Sequence, residues 1–334
     1  MATRVLVTGA GGFIGHHLAK YLVDKGYWVR GVDIKAPEYE DSACHEFEIL
    51  DLRRFDNCLV ATRGVEEVYH LAADMGGIGY ITANHADIAH NSATINLNTL
   101  EAARINAAGR FLFSSSACVY PQYLQKSADV TNLKEEDAWP ADPEEGYGLE
   151  KLFMEEMCKY YHQDYGFETR VVRFHNVYGD LGTYEGGKEK APAAISRKVA
   201  LTPDSGEIEV WGDGEQTRSF MHVDDCVEGI YRIMRSGHAS PLNLGTDELV
   251  TINQLVDLVS EAAGKTIARR HDTSKPQGVR GRNSDNDRLR QVLGWEPRIP
   301  LREGLAPTYR WIESELKAAG RIPDPARNGS VLAK

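Results

Sequence analysis

Tyr147 and Lys151 are the pair of side chains in this sequence best suited to proton transfer. They open a segment with helical apolar spacing, 147–165, and a separation of four residues places both on one helix face. A free phenol titrates near ~10, and a fixed cation beside it favours the phenolate and lowers that pKa. The pair therefore predicts a tyrosine that acts as a base closer to neutral pH. In isolation such a pair would more often be an incidental tyrosine and a solvated lysine. The surrounding elements therefore decide between these two interpretations.

Ser116 and Cys118 lie in the second reactive segment, residues 114–120, which follows the apolar run 111–113. An apolar run that stops in small hydroxyl residues is typical of a buried parallel strand whose carboxyl end opens into a ligand-binding crevice. Taken alone, the pattern would more often be a serine-rich turn, and Cys118 a small buried hydrophobe. If the crevice exists, a cysteine two residues beyond the serine borders it.

A glycine-rich turn near the start of the chain predicts a dinucleotide site. Gly9, Gly12 and Gly15 follow the β-branched run 4–8 and precede a helical pattern, with Phe13 and Ile14 between the last two glycines. In this order of strand, turn and helix, glycines let the backbone approach a pyrophosphate, whose charge lies against the N–H groups at the helix start. We therefore expect these residues to contact a bound dinucleotide.

Acidic residues after the next two strands indicate which dinucleotide binds. Asp33 closes the predicted strand 28–33, where a carboxylate accepts hydrogen bonds from the adenosine ribose and repels the 2′-phosphate of NADP. Asp51 and Leu52 follow the strand 46–50 and are expected beside the adenine. The sequence therefore predicts NAD as the cofactor.

The order of predicted elements indicates the fold class. A strand over 68–73 leads to a second glycine-rich stretch containing Gly76, which predicts either a flexible connection or, as we favour, a close approach to a ligand. Residues 87–107 have the spacing of a long core helix. We expect an α/β fold with a doubly wound parallel (Rossmann) sheet over residues 1–175, and a smaller substrate domain over 176–334 with segments that cross back.

Charge and cysteine content narrow the classes of function. A net charge of −11 argues against nucleic-acid binding, which needs clustered basic residues. The five cysteines form no CxxC pair, and His70, His85 and His90 share no ligand geometry, so we expect no metal site. The odd cysteine count and the lack of a leader pattern or a membrane-length apolar run predict a cytoplasmic protein without a membrane partner.

The glycine turn, Ser116 and the Tyr147/Lys151 pair together resemble the extended short-chain dehydrogenase/reductase family of NAD-dependent epimerases and dehydratases. The similarity covers almost the whole chain and includes residues 173–179, 211–214, 218–220 and 243–245. It implies a nucleotide-sugar substrate. It also implies that Tyr147 takes the C4 hydroxyl proton while NAD takes the hydride, with Ser116 bonded to the same oxygen and Lys151 assisting.

Three further segments, residues 116–118, 187–194 and 278–285, are similar to the family members that invert C3 and C5 of GDP-mannose. This resemblance implies that Cys118 and Lys190 are an acid/base pair. A ring C–H becomes acidic only beside a carbonyl, so a transient C4 ketone would release the protons of C3 and C5. Each inversion needs a base on one face and an acid on the other. The hydride then returns to C4, so NAD should stay bound.

The later part of the chain is expected to hold the nucleotide sugar and to form a dimer. By the resemblance Arg280 is the substrate arginine, because guanidinium groups match phosphate oxygens, whereas Arg282 keeps the default interpretation of a surface charge. The other residues expected at the substrate, besides Ser116, Cys118 and Lys190, are Gly76, Asn176, Glu189, Lys198, Gln216, Thr217 and Arg218. Related enzymes pair through two helices, here within 87–107 and 147–165, so analogy predicts a homodimer.

Two alternative functions remain open at this point. Another nucleotide-sugar 4-epimerase, dehydratase or 4-keto reductase would use Ser116, Tyr147 and Lys151 in the same way, and only Cys118 with Lys190 separates it from a 3,5-epimerase. A regulatory protein that binds a dinucleotide without turnover would keep the fold, although the intact Ser116, Tyr147 and Lys151 argue against it.

Overall fold

The computed structural model describes residues 2–76, 78–129, 132–275 and 278–323 of the chain. Its strands are β1 (Arg4–Thr8), β2 (Trp28–Asp33), β3 (Glu46–Ile49), β4 (Glu67–His70), β5 (Arg110–Ser116), β6 (Glu168–Phe174), β7 (Asn176–Tyr178), β8 (Glu207–Trp211), β9 (Thr217–Arg218), β10 (Phe220–His222), β11 (Leu242–Leu244), β12 (Val250–Thr251), β13 (Ala268–Asp272) and β14 (Gly281–Arg282). Its helices are α1 (Phe13–Asp24), α2 (Phe55–Ala61), α3 (Ile78–Ala83), α4 (His85–Ile105), α5 (Tyr147–Tyr165), α6 (Ala191–Leu201), α7 (Val223–Arg235), α8 (Ile252–Ala263), α9 (Asp287–Leu293) and α10 (Leu301–Ala318).

A sheet of seven parallel strands, in the order β3-β2-β1-β4-β5-β6-β11, forms the frame of the molecule. The order reverses between β1 and β4, and ligands of open α/β sheets bind outside the carboxyl ends of the strands at such a reversal. The glycine turn follows β1, and Ser116 ends β5, so both predicted motifs lie at this edge. The predicted doubly wound fold is confirmed.

Side chains that alternate along each strand fill a separate core on each face of the sheet. Val5 and Val7 of β1 pack into one core with residues of α1 and α7. Leu6, between them, belongs to the other core, which includes residues of α2, α4 and α5. Because both faces are covered, the strands read as continuous apolar runs, as parallel strands do.

The chain after residue 175 builds a second, smaller core and also returns to the main sheet. Residues of α6, α8 and α10 pack around the buried Tyr178, Tyr184 and Val210. In contrast, β11 pairs with β6 in the seven-stranded sheet, and α7 packs on the first core. The division at residue 175 stays a prediction, and residues 324–334 of the predicted second domain lie outside the described residues.

Predicted and observed elements agree closely except around β5 and at the end of β4, which stops at His70 and not at the predicted 73. The strands β1 and β2 have the predicted bounds, α5 covers the predicted 147–165, and α4 begins two residues before the predicted 87. The strand β5 continues through the serines, because Ser114 and Ser115 are buried and paired with Val172 and Arg173 of β6. Only Ser116 therefore reaches the crevice. No helix in the described ranges is long and apolar enough to cross a membrane.

Candidate active site

The reactive side chains predicted from the sequence meet at the carboxyl end of β5. Ser116 is the last residue of β5, and Tyr147 and Lys151 lie in the first turns of α5. The Ser116 hydroxyl shares a hydrogen bond with the Tyr147 phenol. Its oxygen also accepts a hydrogen bond from the backbone N–H of Cys118 at 3.2 Å. One hydroxyl therefore links the tyrosine to the turn that carries the cysteine.

Lys151 lies in the interior of the protein beside Tyr147. Its Nζ donates to the carbonyl oxygen of Ser114 at 2.9 Å and lies 5.6 Å from the centroid of the Tyr147 ring. Burial lowers the pKa of Lys151, and the charge of Glu150 opposes that effect. Because the ammonium is tied to the backbone of β5, its position relative to the phenol is set by the sheet.

The sequence predicted a lowered pKa for Tyr147, and this prediction was wrong for the protein without a bound cofactor. Burial raises the pKa of the phenol, the charges of Cys118 and Glu150 raise it further, and the hydrogen bond with Ser116 opposes them only in part. The sequence argument weighed the cation four residues away but not the enclosure of the side chain, which is almost completely buried. The phenol therefore keeps its proton in this state.

Cys118 lies in a single 3₁₀ turn, Ala117–Val119, directly after β5. Its carbonyl oxygen accepts the backbone N–H of Glu144 at 3.0 Å. A Cβ atom added at Gly148 would overlap that same carbonyl group, so α5 can approach the turn this closely only with glycine there. Burial raises the pKa of the Cys118 thiol, and the Glu144 carboxylate adds to the effect.

Lys190 reaches the same site from another part of the chain. It is the N-cap residue of α6. Burial lowers the pKa of its ammonium group, and the charge of Cys118 opposes that shift, so the two side chains lie within electrostatic range. A lowered lysine pKa and a raised cysteine pKa both favour the neutral form. Ser116, Cys118, Tyr147 and Lys151 thus lie together, and Lys190 lies within electrostatic range of Cys118. The catalytic roles of these five residues remain a prediction.

Arg282 and Glu144 belong to this cluster, although the sequence argument assigned no role to either. Arg282 Nη1 donates to Cys118 Sγ at 3.6 Å, and its Nη2 forms an ion pair with Glu144. The side chain of Arg282 is only 9% exposed, whereas that of Arg280 is 33% exposed and pairs with Asp213 at 2.8 Å. The expectation of a surface charge at Arg282 was therefore wrong. Its signal in the sequence was its place in the segment 278–285, which carried the resemblance.

Arg218, one of the predicted substrate residues, lies within electrostatic range of this cluster. It lies in β9, directly beside Arg282 of β14 in a parallel register. Burial, together with the positive charge of Arg282, lowers the pKa of Arg218 to about 10. A partly buried guanidinium group such as that of Arg218 favours an anionic ligand such as a diphosphate.

The remaining predicted substrate residues each have a partner within the protein. Asn176 donates to the carbonyl oxygen of Ser219 at 3.1 Å, Lys198 to that of Glu209 at 2.7 Å, and Thr217 to that of Ala128 at 2.6 Å. Glu189 forms an ion pair with Arg197 at 3.2 Å, and a Cβ at Gly76 would lie 3.1 Å from the Lys188 side chain, close to Lys190 in the chain.

Gln216 differs from this group, because part of its side chain lacks a partner. Its Nε2 donates to the carbonyl oxygen of Trp211 at 3.0 Å. Its Oε1 is buried and has no hydrogen-bond partner among the described residues. An acceptor left in this way fits a ligand that supplies the missing donor. Contact between these residues and a substrate remains a prediction.

The glycine turn after β1 has the shape that a dinucleotide requires. Gly9 has φ +73°, and a Cβ added there would lie 2.9 Å from the backbone N of Ala72. A Cβ at Gly15 would overlap the Gly9 carbonyl oxygen, so α1 packs directly on the turn. Gly12 caps α1 without a side-chain hydrogen bond, and Phe13 and Ile14 begin the helix, so its first N–H groups face outward. The cradle fits a pyrophosphate.

Asp33 lies beside this cradle at the end of β2. Its Oδ2 accepts the backbone N–H of Gly11 at 3.0 Å, and its Oδ1 accepts that of Ile34 at 2.7 Å. Burial raises the pKa of Asp33, and these backbone hydrogen bonds oppose the shift. Asp51 pairs with Arg53 at 2.8 Å, and Leu52 is buried. The acid next to the turn fits an adenosine ribose, and contact of Asp33, Asp51 and Leu52 with the cofactor remains a prediction.

Replacing Gly15 by alanine should remove bound NAD and destabilise the protein. The added methyl group would displace the Gly9 carbonyl and open the turn, at a cost of about 1–3 kcal/mol for overpacking. The cofactor content of the purified variant and its Tm would measure both effects. Gly237→Ala is the matched control, because a Cβ there meets nothing within 4 Å. Full NAD content in Gly15→Ala would contradict the assignment.

Within the described ranges, no group of three or more His, Cys, Asp or Glu side chains is arranged to hold a metal ion.

Comparison with known proteins places the chain among sugar-nucleotide enzymes. It is 49% identical to GDP-mannose 3,5-epimerase 1 of Oryza sativa subsp. japonica over 316 residues, which is 94% of this chain and 82% of that protein. It is 48% identical to GDP-mannose 3,5-epimerase of Arabidopsis thaliana, over 94% of this chain and 83% of that protein.

A solved structure and the sequence model of a protein family also match this chain. The structure of UDP-glucose 4-epimerase from Thermotoga maritima, with UDP-glucose, matches with a TM-score of 0.85 at 26% identity, over 94% of this chain and all of that one. The sequence model of the NAD dependent epimerase/dehydratase family matches residues 5–245. This range includes the cofactor cradle and the predicted catalytic residues. The chain belongs to the NAD-dependent epimerase/dehydratase family.

Proposed function

We propose that this protein is a GDP-mannose 3,5-epimerase, which converts GDP-mannose to GDP-L-galactose and GDP-L-gulose. The observation that carries the proposal is the position of Cys118 and Lys190 beside the Ser116, Tyr147 and Lys151 group. An enzyme that only transfers a hydride at C4 does not need a thiol and an amine next to the ring. The identity with the rice and Arabidopsis epimerases supports the same substrate.

The first step is oxidation at C4. Tyr147 takes the proton of the C4 hydroxyl, and Ser116 hydrogen-bonds to the same oxygen. Lys151, fixed by the Ser114 carbonyl, is the cation whose position favours the phenolate. NAD, held by the glycine cradle and Asp33, would supply the hydride acceptor for C4 and the hydride for the final reduction. The cofactor is therefore unchanged after each turnover.

The second step is proton exchange next to the C4 ketone. Because Lys190 has a lowered pKa, its neutral amine is available to take a proton from carbon. Because Cys118 has a raised pKa, its thiol is available to deliver a proton to the opposite face. Each exchange inverts one carbon; the lysine then gives its proton to water and the cysteine takes one from water, so both groups are restored and solvent deuterium enters the product.

The third part of the proposal concerns the nucleotide. Arg218 offers positive charge for the diphosphate, whereas Arg282 is held by Glu144 and Cys118. Gln216, with its buried and unpartnered Oε1, is placed to accept a hydrogen bond from the nucleotide. Asn176, Lys198, Thr217 and Arg280 complete the proposed substrate site.

Incubation with GDP-mannose in heavy water tests the proposal directly. We expect deuterium at C3 and C5 of the recovered sugars and new NMR signals for the two products. A 4-epimerase or 4-keto reductase transfers hydride and would introduce no solvent deuterium at these carbons. Absence of deuterium at both positions, with NAD bound, would contradict the proposed function.

We also propose that the protein is a homodimer formed through α4 and α5. Leu149, Phe153 and Tyr160 lie along one face of α5 and are 60%, 46% and 46% exposed. A stripe of large apolar side chains at helical spacing is typical of a helix that packs on a partner. A second copy would bring two α4 and two α5 helices together, as the resemblance implies.

The variant Phe153→Arg should shift the protein from dimer to monomer, because it places a charge in the centre of this stripe. Light scattering after size-exclusion chromatography at micromolar concentration measures the change. Val60→Arg, on the exposed face of α2, is the control and should leave the mass unchanged. A wild-type monomer, or a dimer in Phe153→Arg, would show that α5 is not the interface.

The proposed location is the cytoplasm. Cys44, Cys58, Cys118, Cys158 and Cys226 are all free thiols in the structure. The proposed reaction also requires Cys118 to stay reduced, as it does in a reducing compartment.

A further inference from the structure

Glu144 acts on Cys118 through both its backbone and the charge of its side chain. Its N–H donates to the Cys118 carbonyl oxygen at 3.0 Å, and its carboxylate lies within electrostatic range of the Cys118 thiol. It lies three residues before Tyr147, in the loop that leads into α5. The side chain is 18% exposed, so most of the carboxylate is removed from water.

Arg282 is held against the same two residues by a fixed set of acceptors. One nitrogen of its guanidinium group pairs with Glu144, a second donates to Cys118 Sγ at 3.6 Å, and Nε donates to Gln125 Oε1. Gln125 is buried and is itself fixed, because its Nε2 donates to the Tyr120 carbonyl oxygen at 3.1 Å. The carboxylate, the thiol and the guanidinium therefore form a closed group of three.

We propose that Glu144 is a positioning residue that keeps Cys118 as a protonated thiol and holds Arg282 where it can stabilise the thiolate formed later. The catalytic meaning of this group rests on the proposed function, because a thiol acid is needed only if a ring carbon is protonated. Nothing in the proposal requires Glu144 to contact the substrate.

The physical basis is the balance of charge around one sulfur atom. Loss of the thiol proton would place an anion within electrostatic range of the Glu144 carboxylate, which is unfavourable where water is excluded. When Cys118 gives its proton to carbon, the S–H bond breaks, a C–H bond forms, and the electron pair stays on sulfur. Arg282 already donates to that sulfur, so the negative charge forms next to a cation.

The groups that face Cys118 agree with this balance. Burial and the Glu144 charge raise the thiol pKa, whereas Arg282 and the Ser116 hydrogen bond lower it. Burial raises the pKa of the Glu144 carboxyl, but the charge of Arg282 and its ion pair with Glu144 outweigh this and lower it. The titratable or charged groups around the sulfur are Glu144, Tyr147, Lys151, Lys190, Arg218 and Arg282.

Alkylation of Cys118 by iodoacetamide as a function of pH tests the proposal without any sugar. The NAD-loaded protein is treated over a range of pH, and the modified Cys118 peptide is quantified by mass spectrometry. In Glu144→Gln we expect the midpoint of the profile to move to lower pH by about one unit or more, since removing a neighbouring anion favours the thiolate. Glu145→Gln, at the exposed neighbouring position, should keep the wild-type midpoint.

An unchanged or higher midpoint in Glu144→Gln would overturn the proposal. If that variant does not fold, Glu144→Asp retains the charge but withdraws it by one methylene, and we expect a smaller shift in the same direction. If Glu144→Asp folds but has the same alkylation midpoint as the wild-type protein and Glu145→Gln, the proposal is overturned.

A second readout separates this proposal from the proposed function. If Cys118 acts as an acid, epimerisation falls as the pH rises through the thiol pKa, so the alkaline limb of the deuterium-exchange profile should move to lower pH in Glu144→Gln. An absence of epimerisation in the wild-type protein would contradict the function but leave the alkylation result valid. A shifted alkylation midpoint with an unshifted alkaline limb would overturn the role of Glu144 in the reaction.

Discussion

Replacing Tyr147 by phenylalanine should lower turnover of GDP-mannose by ~10²–10⁴-fold, the range that general acid–base groups contribute. The change removes one hydroxyl from a buried position, where it bonds to Ser116 and lies next to the fixed ammonium of Lys151. Without that hydroxyl no side chain takes the C4 proton as the hydride leaves. Because oxidation precedes both inversions, deuterium incorporation at C3 and at C5 should fall together.

NAD content, melting temperature and product formation should be measured on the same preparation of Tyr147→Phe. We expect bound NAD to be retained, because the cradle at Gly9, Gly12 and Gly15 lies after a different strand. Tyr165→Phe, on the exposed end of the same helix, is the control and should keep full activity. Wild-type turnover in Tyr147→Phe would exclude this tyrosine as the C4 base.

The elements that position the site could be predicted because their signals are local. The strand β1, the glycine turn and α1 follow one another without interruption, and a parallel strand buried on both faces is an apolar run in any context. The first turns of α5 place Tyr147 and Lys151 on one face by helix geometry alone. Ser116, Tyr147 and Lys151 could therefore be named from local patterns, whereas the roles of Cys118 and Lys190 were implied only by the family resemblance.

The electrostatic state of the site could not be predicted, because it depends on partners distant in sequence. Arg280 and Arg282 stand two residues apart, yet one pairs with the exposed Asp213 and the other with Glu144 beside Cys118. No local pattern distinguishes them. The predicted direction of the Tyr147 pKa shift was wrong for the same reason, since the degree of burial is a property of the packed molecule.

The variants Cys118→Ala and Lys190→Ala should each abolish epimerisation while leaving C4 oxidation intact. Both side chains act on C3 and C5, and neither is fixed by the cofactor cradle, so NAD should remain bound in both proteins. We expect loss of deuterium at C3 and C5 by ~10²–10⁴-fold. Addition of GDP-mannose should still produce the absorbance of reduced nicotinamide, because Ser116, Tyr147 and Lys151 are unchanged.

This pattern separates the two halves of the reaction, since Tyr147→Phe should lose nicotinamide reduction and deuterium exchange together. Cys118→Ser is the matched variant for packing: its hydroxyl fills nearly the same space but is a much weaker acid than a thiol, so exchange should remain lost. Lys317→Ala, on the distant helix α10, is the control for loss of a lysine. Full exchange in Cys118→Ala or in Lys190→Ala would remove that residue from the mechanism. The remaining evidence would then support only oxidation and reduction at C4, which a sugar-nucleotide 4-epimerase also performs.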